Sequence, residues 1–67
     1  MFEKEFILDS EYCLIYRNGI YSLEKNKRYV TDGKDALNKA YYIVMEFCRA
    51  YPGYAKNKVK QYENFIK

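Results

Sequence analysis

The pair Asn18-Gly19 is the feature that most constrains the fold, because it lies between two segments that alternate like β-strands. A two-residue type I′ turn needs positive φ at both central positions, and Asn-Gly adopts it readily. Such a turn pairs Tyr16 with Tyr21 and Leu14 with Leu23. Directly opposed residues share a face of the sheet, so we expect these apolar residues to face the core. The opposite face then carries Cys13, Ile15, Arg17, Ile20, Ser22 and Glu24.

The residues on either side of this hairpin predict further strands. A strand ending near Leu8 and a connection over 9–11 would place Phe6 opposite Leu14, on the core face. Burial selects that register, because a slip of one residue would turn every side chain to the other face. Residues 27–31 indicate a fourth strand after a polar turn around Asn26, with a register that the pattern does not set. The sequence therefore predicts three or four strands within about residues 3–31.

From about residue 33 the apolar spacing changes to that of a helix, which we expect to run to about residue 51 and to end before Pro52. Thr31 or Asp32 can cap its first turn, with Asp35 completing a weak capping box. Its apolar residues span an arc of roughly 200°, about twice what a surface helix needs. These residues are Ala36, Leu37, Ala40, Tyr41, Ile43, Val44, Met45, Phe47, Cys48 and Tyr51.

A second helix is predicted over about residues 54–66, with a narrower apolar stripe that includes Val59 and Tyr62. The wide stripe of the first helix then has two elements to cover it, the sheet and this second helix. The fold class predicted is α+β: a three- or four-stranded antiparallel β-meander followed by two α-helices packed on one face of the sheet. We expect residues 1–67 to form a single small domain.

The residue types that carry most enzyme chemistry are scarce in this chain. It has no histidine for general-base catalysis at neutral pH, and its two cysteines, Cys13 and Cys48, form no CxxC pair. Without an activating partner, both thiols are typical of small buried apolar groups. We therefore expect no catalytic residues, no metal site and no cofactor, and a protein that is not an enzyme.

The first residues are acidic, and the apolar run within them is too short for a signal peptide or a membrane span. We therefore expect a cytoplasmic protein with reduced thiols and no membrane partner. A chain of 67 residues builds only a small core. Self-association would stabilise it, so a homodimer is one expectation.

The sheet face that the helices leave open is the first candidate for function. It would carry Cys13, Ile15, Ile20 and Tyr29, with Arg17 at the rim, and a cluster of apolar residues on a surface is typical of an interface. The first hypothesis is a small non-enzymatic protein that acts by occupying a macromolecular partner, with a host protein or a second copy of itself as the expected partner. Its size and composition suit an accessory or inhibitor protein of a virus or mobile element, such as a counter-defence factor.

The alternative hypothesis is nucleic-acid binding through a surface of lysines and aromatic residues. Residues 1–11 have a charge of −3, with one Lys against four acidic residues. Because the whole chain has a net charge of +3, residues 12–67 carry +6. Basic side chains interleaved with aromatic rings can hold a phosphate backbone and stack bases. The candidate residues are Lys25, Lys27, Arg28, Lys56, Lys60 and Lys67.

Overall fold

The computed structural model describes residues 3–67 and contains a four-stranded antiparallel sheet followed by two helices. Residues 1 and 2 lie outside the described residues. The strands follow one another across the sheet in chain order, and the helices pack on one of its faces, which confirms the predicted α+β class. The elements are β1 (Glu3–Ile7), β2 (Tyr12–Arg17), β3 (Ile20–Lys25), β4 (Arg28–Asp32), α1 (Gly33–Ala50), a 3-10 turn (Pro52–Tyr54) and α2 (Ala55–Phe65).

The central hairpin has the predicted turn and register. Asn18 and Gly19 have φ angles of 53° and 80°, as a type I′ turn requires. Across the hairpin, Tyr16 pairs with Tyr21, and their ring centroids are 4.8 Å apart. Both tyrosines are half-buried on the face that carries the helices.

The two outer strands extend this hairpin to a full meander. Phe6 lies opposite Leu14, so the register predicted for β1 is confirmed. The fourth strand forms as well, after a second turn in which Asn26 and Lys27 have φ angles of 50° and 66°. Its register shifts midway, between residues paired with Leu23 and with Glu24, and this irregularity explains why the sequence pattern did not set it.

The predicted side-chain cap of α1 is not formed. Asp32 occupies the N-cap position with extended backbone, but its side chain makes no capping hydrogen bond. Asp32 is also the last residue of β4, opposite Ser22, so it belongs to the sheet as well as to the start of the helix. Its carboxylate lies near the hydroxyl of Tyr29 and raises the pKa of that group.

The core lies between the sheet and the helices. α1 packs mainly on β3 and β4, while α2 packs on α1 and reaches β1 through Phe6, whose ring centroid is 5.5 Å from that of Phe65. Tyr62 is the one buried residue of α2, and its hydroxyl donates a hydrogen bond to the Leu37 carbonyl oxygen at 3.0 Å. The buried residues of this cluster are Leu8, Leu14, Leu23, Ala36, Ala40, Val44, Cys48 and Tyr62.

The wide apolar stripe predicted for α1 is only partly covered. Tyr41, Met45 and Tyr51 belong to the predicted arc but are exposed. The reason is that α2 is short and contributes a single buried side chain, Tyr62, so it covers only one flank of α1.

Candidate functional site

The sheet face opposite the helices is covered by no other part of the described chain, and we call it the outer face. Strand alternation and the cross-strand pairing bring together side chains from all four strands. The outer face consists of Glu3, Glu5, Ile7, Cys13, Ile15, Arg17, Ile20, Ser22, Glu24, Tyr29 and Asp32. All five residues that the sequence singled out for protein binding therefore lie on one surface.

Three large apolar side chains are exposed on the outer face. Ile7, Ile20 and Tyr29 are 65%, 53% and 64% exposed. Ile15, which we expected to be open, is only 5% exposed. It lies in the centre of the face with neighbours on every side, so those neighbours already remove it from water. The accessible apolar surface therefore lies around Ile15.

The outer face is acidic. Four carboxylates, from Glu3, Glu5, Glu24 and Asp32, accompany one guanidinium, that of Arg17, so the face has a charge of −3 in a chain of net charge +3. The remaining residues of the chain carry +6.

The one cation of the outer face is partnered within the chain. The Nε of Arg17 donates to Glu3 Oε1 at 2.9 Å. This hydrogen bond lowers the pKa of the Glu3 carboxyl and raises that of the Arg17 guanidinium. Both side chains are exposed, so the pair contributes little to stability. The carboxylates of Glu5 and Glu24 have no ion pair in the described chain.

The thiol of Cys13 is half-buried in this acidic surface. Burial raises its pKa, and the nearby carboxylates of Glu5 and Glu24 raise it further. A thiol with a raised pKa forms little thiolate at neutral pH and is a poor nucleophile. The chemistry of Cys13 is therefore that of a small apolar contact residue.

The outer face is slightly hollow. A depression of about 500 Å³ extends from Glu3 and Arg17 to the β1–β2 loop and the β3–β4 turn. The loop adds the carboxylates of Asp9 and Glu11 to its lining, and the turn adds the ammonium of Lys27. A shallow acidic surface with apolar side chains can seat a complementary protein surface.

The residues proposed for nucleic-acid binding fall into two separate groups. Lys25, Lys27 and Arg28 lie at the β3–β4 turn, and the Nζ of Lys25 is 5.5 Å from the ring centroid of Tyr12. The other group belongs to α2 and to the second residue beyond it, on the side of the sheet where β1 forms the edge. No extensive contact joins α2 to β4, so the two groups lie on elements that do not pack on each other. The second group consists of Lys56, Lys60 and Lys67.

Some residues of interest were missed in the sequence. Successive side chains of a strand point to opposite faces of the sheet. Because Phe6 was predicted on the core face, Glu3 and Glu5 could have been predicted on the outer face. Asp32 was interpreted as a helix cap. Lys58 gave no local signal, yet its Nζ donates to the Ile7 carbonyl oxygen at 2.7 Å, a contact between residues far apart in the chain.

No protein-family model, no curated protein and no solved structure matches this chain. Within residues 3–67, no group of three His, Cys, Asp or Glu residues is placed to hold a metal ion. No helix of the described chain has both the length and the apolar character needed to cross a lipid bilayer.

Proposed function

We propose that this protein is a small non-enzymatic binding protein that acts by occupying a protein partner through the outer face. The observation that carries the proposal is the exposure of Ile7, Ile20 and Tyr29 on one uncovered face of the sheet. Exposed apolar side chains grouped on one surface are typical of protein interfaces. Aromatic residues are enriched at the centre of such interfaces, and Tyr29 provides one here.

The charge of the outer face defines the chemistry of the partner. Carboxylates from β1, β3 and β4 lie among the apolar residues, so the fitting surface has basic side chains interspersed with apolar ones. Complementary charge increases the association rate and disfavours other partners. Two copies docked by this face would bring charges of −3 together, so a partner of different sequence fits better than a second copy.

We further propose that the protein is an accessory or inhibitor protein of a virus or mobile element, acting in the cytoplasm as a counter-defence factor does. A binding protein this small inhibits by covering a surface that the partner needs. This attribution is supported by size and composition.

The test is affinity capture from a host-cell lysate with the tagged protein, with and without nuclease treatment of the lysate. The outer-face variant is Ile20→Ser with Tyr29→Ser, because both side chains are exposed and neither belongs to the core cluster. The matched control is Tyr42→Ser with Met45→Ser, which removes exposed apolar area from α1. Circular dichroism establishes that both variants are folded.

We expect one protein to be retained by the wild type and the control after nuclease treatment, and to be lost from the outer-face variant. Retention by all three proteins would contradict the assignment of the outer face. Recovery of nucleic acid, with all binding lost after nuclease, would favour the lysine surfaces instead. A second copy of the chain as the captured protein would favour the homodimer.

A further inference from the structure

A second surface, separate from the apolar residues of the outer face, has the composition of a cation-binding site. It is a groove of about 390 Å³ between the β1–β2 loop and the C-terminal end of α1. Its walls include three aromatic rings, from Phe47, Tyr51 and Tyr54, and two carboxylates, from Asp9 and Glu46. We call it the aromatic groove.

Both tyrosine rings lie close to the ring of Phe47. The ring centroid of Phe47 lies 5.0 Å from that of Tyr51 and 6.5 Å from that of Tyr54, with interplanar angles of 44° and 51°. All three residues line the groove. The face of an aromatic ring attracts a cation through its quadrupole, and several rings around one space form the cages that bind quaternary ammonium groups.

The charges that line the groove are also suited to a cation. Asp9 uses its Oδ1 to accept hydrogen bonds from the backbone N–H groups of Glu11 and Tyr12, both at 2.8 Å. Its carboxylate is therefore held in place by the loop. Glu46 is paired with Arg49 at 3.0 Å, but both side chains are exposed, so a bound cation can displace this weak contact.

The end of α1 adds further negative potential. The last carbonyl groups of a helix carry the negative end of its dipole, and cations are stabilised there. α1 ends at Ala50, which lines the groove, so the negative end of this dipole lies beside it.

One lysine of the chain already uses this chemistry. The Nζ of Lys58 is 4.6 Å from the ring centroid of Phe47 and 5.2 Å from that of Phe6. Lys58 is not among the residues that line the groove, and its ammonium is held by the Ile7 carbonyl. Its positive charge, like that of Arg49, opposes a second cation nearby.

We propose that the aromatic groove binds an alkylammonium cation. The source is either a lysine side chain of a partner protein, methylated or not, or a free amine such as choline. The rings of Tyr51 and Tyr54 contact the apolar surface of the cation, and the carboxylates of Asp9 and Glu46 balance its charge. This inference does not depend on the partner of the outer face.

The experiment is a titration of the isotope-labelled protein followed by amide NMR. The probe is choline, and its matched control is 3,3-dimethyl-1-butanol, in which a neutral carbon replaces the nitrogen. Ionic strength is kept constant with sodium chloride. We expect choline to produce saturable shifts at the amides of Asp9, Tyr51 and Tyr54, and the neutral alcohol to produce none. Equal shifts with both probes would overturn the proposal, and so would the absence of shifts with choline and with all the lysine peptides described below.

Two variants locate the interaction. Tyr54→Leu keeps an apolar side chain but removes the ring, and Asp9→Asn keeps an oxygen acceptor for the loop but removes the charge. Each is expected to weaken choline binding about two- to fivefold, the value of one exposed cation–ring or charge contact. Glu63→Gln, an exposed change on α2, is the control and should leave the affinity unchanged. Unaltered affinity in both groove variants would contradict the assignment.

Short peptides identify the source of the cation. Peptides that contain one lysine, trimethyl-lysine or arginine among glycines are compared with choline in the same titration. Tighter binding of a lysine or trimethyl-lysine peptide assigns the groove to a protein partner, whereas equal or tighter binding of choline assigns it to a free amine. Failure of every ammonium probe would sink the proposal, while leaving the proposed role of the outer face untouched.

Discussion

Replacing Tyr62 with phenylalanine tests how the second helix is held to the first. Tyr62 is 3% exposed, and its hydroxyl donates to the Leu37 carbonyl oxygen at 3.0 Å. Tyr62→Phe keeps the ring and its contact with Phe6, at a centroid distance of 6.0 Å, and removes only the hydroxyl. The variant therefore isolates one buried hydrogen bond between the helices.

The expected cost follows from the net value of such a bond, about 1 kcal/mol. A domain of 67 residues has a total stability of roughly 3–10 kcal/mol, so the loss is a substantial part of it. For a chain of this size, about 1 kcal/mol corresponds to a decrease in melting temperature of about 4–8 °C. Thermal unfolding followed by far-UV circular dichroism measures this shift.

The control is Tyr42→Phe, the same chemical change at a side chain that is 73% exposed. Its hydroxyl is in contact with water, so the melting temperature should stay close to that of the wild type. Equal melting temperatures for Tyr62→Phe and Tyr42→Phe would refute the packing of α2 on α1 described above.

The difference in stability between the wild type and Tyr62→Phe should also depend on pH. Burial raises the pKa of Tyr62, and the neighbouring Tyr21 and Tyr41 raise it further. A group whose pKa is higher in the folded state contributes its full stability below its unfolded pKa, about 10 for tyrosine, and loses it as the pH rises through the folded value. The difference in stability between the wild type and Tyr62→Phe should therefore narrow above about pH 10. A difference that widens there would contradict the burial of this hydroxyl.

Two further predictions concern the core and the hairpin. Val44→Asp should unfold the domain, because Val44 is buried among apolar residues and an unpaired buried charge costs several kcal/mol. The control Lys39→Asp, on the exposed side of α1, should change the free energy of unfolding by only about 0.5 kcal/mol. Equal melting temperatures for the two variants would contradict the orientation of the helix. Gly19→Val should lower the free energy of unfolding, measured with urea, by at least about 1–2 kcal/mol. There is open space around Gly19, but its φ of 80° is unfavourable for a β-branched residue. An unchanged urea midpoint would show that the turn relaxes without cost.

The sequence predicted most of the fold because a single turn determined the register of the sheet. Asn18-Gly19 set the pairing of β2 with β3, and the need to bury Phe6 then set the pairing of β1. The fourth strand was harder, because its register shift leaves one residue unmatched near Val30 and breaks the alternation on which the prediction relied.

The candidate site was predicted in its apolar residues and missed in its charge. Ile20 and Tyr29 are exposed on the outer face as expected. Burial of Ile15 depends on the side chains around it from three strands, which a pattern along one strand does not reveal. The acidic character of the face was missed because Glu3 and Glu5 were not assigned to it, and because the position of Asp32 before a helix favoured a capping role.

The aromatic groove was not predicted at all. It joins Asp9 in the first loop to Glu46 and Tyr54 near the ends of the two helices, and these residues are far apart in the sequence. Only the way in which α1 crosses the sheet brings them together. Periodicity predicts which side of an element is buried, but it does not predict which elements meet at their ends.

The most direct test of the binding function uses the five isoleucines of the chain as reporters. Three of them, Ile7, Ile15 and Ile20, lie on the outer face, and the other two, Ile43 and Ile66, pack on the helix side of the sheet. Methyl NMR of isoleucine-labelled protein, titrated with the captured partner, distinguishes the two sides in one measurement. We expect the methyl signals of the first three to shift or broaden while those of Ile43 and Ile66 stay in place. Changes confined to Ile43 and Ile66 would contradict the claim that the outer face is the docking surface.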